Sequence, residues 1–487
     1  MADTTLILHG WSDCSESFRS LESFLVEEGV GEVESIYYAD YESREDAITY
    51  EDVVGGLDDE LRRRGLLDER GRGSFDVVVH STGGMVIRHW IWRYYGHRID
   101  DCPVENLVML APANFGSPLA HRGKSLLGRV FGGRWKIGDM LEVGRRLLDG
   151  LELGSAHQWE LAHRDLLGPE PLYDADRVRL TVLVGLSDYS GLRGWVPEKP
   201  GTDGAVVIAG TPLDSVKLSL DFCDPSEPRR WRRDTAHGAF AFGTLPGHDH
   251  GSIVEAFGAE READRESPDR PGRDDGAVRE LVLSALRVDS PGAFRQHRDR
   301  VHERREAARA SVAKAGAAPT RWQQFLFHAV DDQDQPVRDF TLEFFVHRRG
   351  RETRIGETRR GAPHGPRMLT SRERELSNSV NRRMTAHFHT YSRDPSFRRA
   401  LVDVAGVEEL LPDGHVLAMR MYVPRVEDGI YYDTDHLRDV VVHDPSGEDG
   451  ADGGSPSFLH PDTTTLVQLR VDRVTDYVTV DTRPREH

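Results

Sequence analysis

The chain has 487 residues, 38% of them hydrophobic and 30% charged, with a formal net charge of -19. That length is more than one ordinary domain and predicts two or three, while the apolar content is enough for buried cores and excludes global disorder. The acidic balance argues against nucleic acid or a strongly anionic membrane as the main partner.

The N-terminal Met-Ala-Asp-Thr-Thr runs directly into an apolar strand, Thr5–His9, which leaves no room for a signal peptide. No uninterrupted apolar stretch is long enough to span a bilayer, so the expectation is a soluble cytoplasmic protein. The strand ends in His9-Gly10-Trp11, where Gly10 allows a sharp turn. A helix over Ser17–Glu28, a strand at Val33–Tyr38 and a helix over Tyr50–Arg64 follow, the last with Val53, Val54, Leu57 and Leu61 on one face. Next comes Phe75-Asp-Val-Val-Val-His-Ser-Thr-Gly-Gly84, a β-branched run that ends at Ser81 and passes into a helical pattern. Further strands are expected at Asn106–Ala111, Leu180–Gly185, Asp214–Phe222 and Gly238–Gly243. Apolar strands alternating with amphipathic helices are the signature of a mostly parallel sheet flanked by helices.

The Gly123–Leu167 segment interrupts this rhythm with leucines and aromatics among glycines. It reads either as a lid-like insertion, at about 120–170, or as a helical insertion packed on the core. A charged, Pro- and Gly-rich break at Glu260–Asp275 precedes a helix over Gly276–Leu286 that closes the first domain at about residue 290. Phe294–Ala310 is rich in arginine, and the whole chain holds only five lysines against 58 arginines. Such a bias fits a GC-rich genome or a salty habitat. A basic stripe can touch phospholipid headgroups, which leaves peripheral contact with a lipid surface open. Asp299, Glu303 and Glu306 interleave, however, and favour a solvated linker helix over 291–318. From 319 to the end the apolar period becomes two (Phe325/Phe327, Leu342/Phe344, Met384/Ala386/Phe388, Leu417/Met419/Met421, Val467/Leu469/Val471), with Asp-, Pro- and Gly-rich turns between. That pattern predicts an all-β, sandwich-like domain.

Hydrolysis through an acyl-enzyme needs a nucleophile, a base, a group that orients the base, and donors for the oxyanion. Ser81 sits on a strand-to-helix turn, with Gly83 and Gly84 after it and Val79 two positions before, where a smaller residue is usual. The backbone N–H groups of Trp11 and Thr82 are the expected oxyanion donors. His248 and His250 are the candidate bases, and His250 is preferred because it directly precedes the helix start Gly-Ser-Ile-Val254. Two aspartates follow the Leu180–Gly185 strand, Asp188 and Asp203, and spacing alone leaves that choice open.

With His9-Gly-Trp11, His80-Ser-Thr-Gly-Gly84, Ala113-Asn-Phe-Gly-Ser-Pro-Leu-Ala120, Gly201-Thr-Asp-Gly204 and His250-Gly-Ser-Ile-Val254 in this order, residues 4–287 resemble a bacterial lipase or esterase of the α/β-hydrolase superfamily. The resemblance implies a Ser-His-Asp triad acting on carboxylic esters. It favours Asp203, as the Asp of a [ST]-Asp-Gly element followed by an apolar run, and implies that Asn114–Pro118 opens the lid insertion. Three further readings stand beside it. A phospholipase or acyltransferase would use the same triad, and a vestigial hydrolase would act as a binding protein through its β-domain.

Other signals are weaker. No GxGxxG or Walker element stands in the right context, so no nucleotide cofactor is expected. Cys14, Cys102 and Cys223 are too few for a disulfide framework and lack metal-ligand spacing. His387 and His389 read as a solvent-facing pair rather than metal ligands, and the acidic Asp444–Asp452 loop as a plain turn rather than a Ca²⁺ site.

Overall fold

The structure, a computed structural model, describes residues 2–9, 15–36, 48–120, 145–187, 201–222, 232–235, 240–258, 273–314, 321–349, 369–435, 437, 439–445 and 457–474. The first stretch of chain contributes β1 (Thr4–Leu8), α1 (Ser15–Glu27), β2 (Glu32–Ile36), α2 (Tyr50–Arg63), β3 (Phe75–His80), α3 (Gly83–Tyr95) and β4 (Val104–Leu110). There follow α4 (Arg145–Leu151), α5 (Ala156–Asp165), β5 (Arg179–Gly185), β6 (Val216–Asp221), β7 (Arg232–Thr235), β8 (Phe240–Leu245), α6 (Ser252–Glu255), α7 (Asp275–Leu286) and α8 (Pro291–Lys314).

Contacts divide the chain into two units. The first comprises Met1–Ser215, Thr235–Trp322 and Asp462–Thr464; the second comprises Val216–Asp234, Gln323–Pro461 and Thr465–His487. In the first unit six strands pair in the order β2-β1-β3-β4-β5-β8, every neighbour parallel. A sheet covered on both faces needs strands that are apolar throughout. Phe75–His80 meets this at Phe75 and Val77–Val79, and all six of its residues are buried, Asp76 and His80 included. The reading of α2 also holds: Thr49 and Asp52 form a capping box, and Arg62 and Arg63 fill the last turn, where the helix dipole favours cations.

Two features of this first half differ from expectation. The Val216–Asp221 strand forms, but it leaves the first sheet and pairs in parallel with Thr464–Val471 in the second unit. The arginine-rich α8 is not solvated all round: Phe294 and Val301 are buried, and Arg305 lies over the Phe242 ring of β8 at 5.3 Å. An apolar stripe that sparse is hard to see among so many charges. Of the insertion, residues 121–144 lie outside the described residues, and α4 and α5 form its remainder.

The second unit continues with β9 (Trp322–Asp331), β10 (Thr341–Arg348), α9 (Ser371–Thr385), β11 (His387–Thr390), β12 (Phe397–Asp403), α10 (Val404–Glu408) and β13 (His415–Tyr422). It closes with β14 (Val426–Glu427), β15 (Ile430–Tyr431), β16 (Val440–His443) and β17 (Thr464–Val471). One sheet runs β11-β12-β9-β17-β6-β7 and another β10-β13-β16. Alternate residues from both, among them Phe325, Phe327, Leu342, Phe344, Leu417, Met419, Val467 and Leu469, share one apolar core, as the period-two pattern requires. The exception is Met384–Phe388. Met384 belongs to α9, started by a Thr370/Glu373 capping box, and only His387–Thr390 is strand.

Candidate active site

At the end of β3 the backbone of Ser81 takes φ 54°, a left-handed conformation that disfavours a side chain. Three hydrogen bonds hold it there: Ser81 N–H donates to Leu110 O at 3.1 Å, and Ser81 O accepts from Ala113 N–H at 2.9 Å and Gly84 N–H at 3.2 Å. The turn works only because Gly84 lacks a Cβ. One built there would stand 2.7 Å from Pro112 Cβ and 2.8 Å from Asn114 Oδ1, so the β4 loop presses directly on the start of α3. Thr82 opens that helix, where backbone N–H groups lack intrahelical acceptors and the dipole favours developing negative charge. Val79 is fully buried and registers with Leu8 and Met109 in the sheet, so its bulk is absorbed in the core.

Asp203 lies on a tight loop whose flanking glycines adopt positive φ, 70° at Gly201 and 97° at Gly204. Its Oδ1 accepts from the N–H groups of Ala205 (3.0 Å) and Val206 (2.8 Å). That leaves Oδ2, which is 3.0 Å from His250 Nδ1. A carboxylate only accepts, so Nδ1 carries the imidazole proton and Nε2 is the acceptor. Nε2 lies 3.1 Å from Ser81 Oγ. His250 and Asp203 are fully buried and Ser81 nearly so, at 4% exposed.

The structure therefore brings Ser81, His250 and Asp203 into one hydrogen-bonded chain. His248 stands elsewhere, buried, with Nε2 3.7 Å from Asp275 Oδ1; burial holds its pKa below the usual imidazole value. Trp11 and Asp188 lie outside the described residues. Among the described residues no group of three or more His, Cys, Asp or Glu is placed to hold a metal ion.

Sequence reasoning missed the braces around this chain. Asn114 Nδ2 donates to Thr211 O (2.7 Å), and Ser117 Oγ donates to Ala205 O (2.6 Å), tying the loop after β4 to the Asp203 loop. Arg88 on α3, fully buried, grips both Asp165 oxygens (2.7 and 3.0 Å) and the Asn114 carbonyl (2.8 Å). One signal was available: an arginine among the apolar residues of Met85–Ile91 demands a buried partner.

A parallel sheet, a strained serine turn after its third strand and histidine and aspartate on later loops define an α/β-hydrolase fold, extended here by a C-terminal β-unit. Two structures of the phospholipase PlaB from Legionella pneumophila, the second in complex with thio-NAD, share this fold over 99% of this chain and 97% of theirs. Identity is 22% and 21%, and the TM-score is 0.71 for both. The metagenomic carboxyl esterase MGS0156 aligns over 43% of this chain and 60% of its own, at 18% identity and a TM-score of 0.31. No protein-family model and no curated protein matches the sequence.

Proposed function

We propose that this chain is a serine hydrolase of carboxylic esters, working without a cofactor through an acyl-enzyme. The observation that carries the reading is the relay from Asp203 Oδ2 through both His250 nitrogens to Ser81 Oγ, at 3.0 and 3.1 Å. Ser81 Oγ attacks the acyl carbonyl while His250 Nε2 takes its proton, and Asp203 holds the tautomer and stabilises the imidazolium. The N–H groups of Thr82 and Trp11 receive the oxyanion, each worth about 3 kcal/mol of transition-state stabilisation. His250 then protonates the departing alcohol. A water, deprotonated by the same nitrogen, attacks the acyl-enzyme, and His250 returns that proton to Ser81 Oγ as the acid departs.

Full-length likeness to a protein named as a phospholipase favours a second reading, in which the ester is that of a phospholipid. A Ser81→Ala variant tests the common step. It should remain folded, lose turnover of a p-nitrophenyl ester panel and lose labelling by a fluorophosphonate probe; retained turnover would end the proposal. Product analysis on phospholipid vesicles and on simple esters of matched chain length separates the two substrate classes, and transfer of the acyl group to an added alcohol would mark an acyltransferase.

A further inference from the structure

His80 closes β3 one residue before Ser81, and its side chain is enclosed, with the residue 1% exposed. Its Nε2 stands 3.0 Å from the carbonyl oxygen of His250. A carbonyl only accepts, so the proton on His80 is at Nε2. On the other side of the same residue, His250 N–H donates to Asp203 O at 2.9 Å. The peptide groups before and after His250 are thus held separately, one by the loop of the acid and one by the strand of the nucleophile. The N–H of the second peptide, on Gly251, donates to Asp249 Oδ1 at 3.1 Å, so His80 holds its carbonyl end. The two imidazoles sit with ring centroids 4.7 Å apart, and the Phe18 ring lies 5.9 Å from His80. Packing alone would be served by an apolar side chain here; a buried imidazole is worth its desolvation only if it makes a hydrogen bond.

We infer that His80 is a positioning residue: its Nε2–H clamps the His250 carbonyl, so that the strand carrying Ser81 also sets where the His250 imidazole stands over Ser81 Oγ. This rests on the reading of Ser81 and His250 as nucleophile and base. Since β3 is paired along its length, through His80 opposite Leu110, nucleophile and base are referred to one rigid element. Misplacement of a base by about 1 Å costs on the order of 100-fold in rate.

The test compares His80→Phe, which keeps a ring and loses the donor, with His80→Gln, whose amide restores an N–H at similar reach, both in the full chain. Loss of the clamp should lower kcat of His80→Phe by about 10–100-fold with KM little changed, and His80→Gln should recover most of the loss. Unchanged kcat in His80→Phe, or equal losses in both variants, overturns the inference. A measurement on the unaltered protein needs no variant to fold: ¹⁵N-histidine NMR should show His80 protonated at Nε2, and an Nδ1–H tautomer overturns the clamp. Ser81→Ala assayed beside them keeps the two ideas apart. If it retains turnover the catalytic reading fails, whereas the tautomer still decides whether the clamp exists.

Discussion

Asp203 has two oxygens with separate tasks. Oδ1 is occupied by two backbone N–H groups of its own loop, and Oδ2 faces His250. An Asp203→Asn change would keep the Oδ1 contacts and the shape of the loop, yet present an amide where an acceptor is needed. If its NH₂ faces Nδ1, the imidazole must place its proton on Nε2 and can no longer accept from Ser81. Kinetics of Asp203→Asn should therefore show kcat down by about 10⁴-fold with modest change in KM, and little change in melting temperature. A loss below tenfold would remove Asp203 from the proposed mechanism. These residue types were legible in the sequence because acyl chemistry admits so few of them. Spacing left Asp203 and Asp188 open, and only the likeness of Thr202-Asp-Gly204 to a lipase element favoured Asp203; the backbone anchoring of Oδ1 is encoded in neither composition nor spacing. The His80 contact was equally hidden, since it joins residues 170 apart in the chain.

Helix α3 must start from a strained serine and still hold its place, and Arg88 is how the rest of the unit grips it. The guanidinium and the Asp165 carboxylate are both fully buried, and Tyr173 Oη is a third donor to the carboxylate, at 3.3 Å, after Arg88 Nε and Nη2. Such a pair gives little net stability over a well-packed apolar replacement, but removing one member leaves the other charge unpaired. Arg88→Met should cost about 3–5 kcal/mol in denaturant unfolding, and Arg88→Met/Asp165→Leu should cost clearly less than the sum of its single changes. Additive losses would show that the two groups do not act as a pair. At this scale periodicity recovered the parallel strands of the first sheet and the alternation of the second. It erred at Met384, although Thr370-Ser-Arg-Glu373 spells a capping box that could have announced the helix. It placed the Val216–Asp221 strand without its partner, since pairing with Thr464–Val471 is a long-range choice that no local pattern carries.

Across the molecule, pH acts on the first unit through buried groups of opposite sense: burial raises Asp76, and it lowers His297 as it does His89, His157 and His248. Burial raises the Asp76 carboxyl to about 6, despite the N–H groups it accepts from Asn106. Burial, helped by Arg300, lowers the His297 imidazole to about 4, between Thr181 and Ser284. Between pH 3.8 and 6 the folded state keeps the Asp76 proton that the unfolded chain has released, so the Asp76 contribution is full at low pH and is lost as pH rises through 6. His297 runs the other way. The unfolded chain takes up its proton below pH 6.5 and the folded state resists until about 4, so the contribution is full above 6.5 and is lost as pH falls through 4. From pH 4 to 6 the two slopes oppose, each of at most about 1.4 kcal/mol per pH unit. Asp76→Asn should therefore make stability rise more steeply with pH across that window than in the unaltered chain, and His297→Gln should make it fall more steeply. Both follow from unfolding free energies measured every half unit from pH 4 to 7, read as slopes so that any uniform cost of the substitution drops out. Two variants shifting the slope in the same direction, or neither shifting it, would show that Asp76 and His297 do not make opposed contributions to the pH response of the first unit.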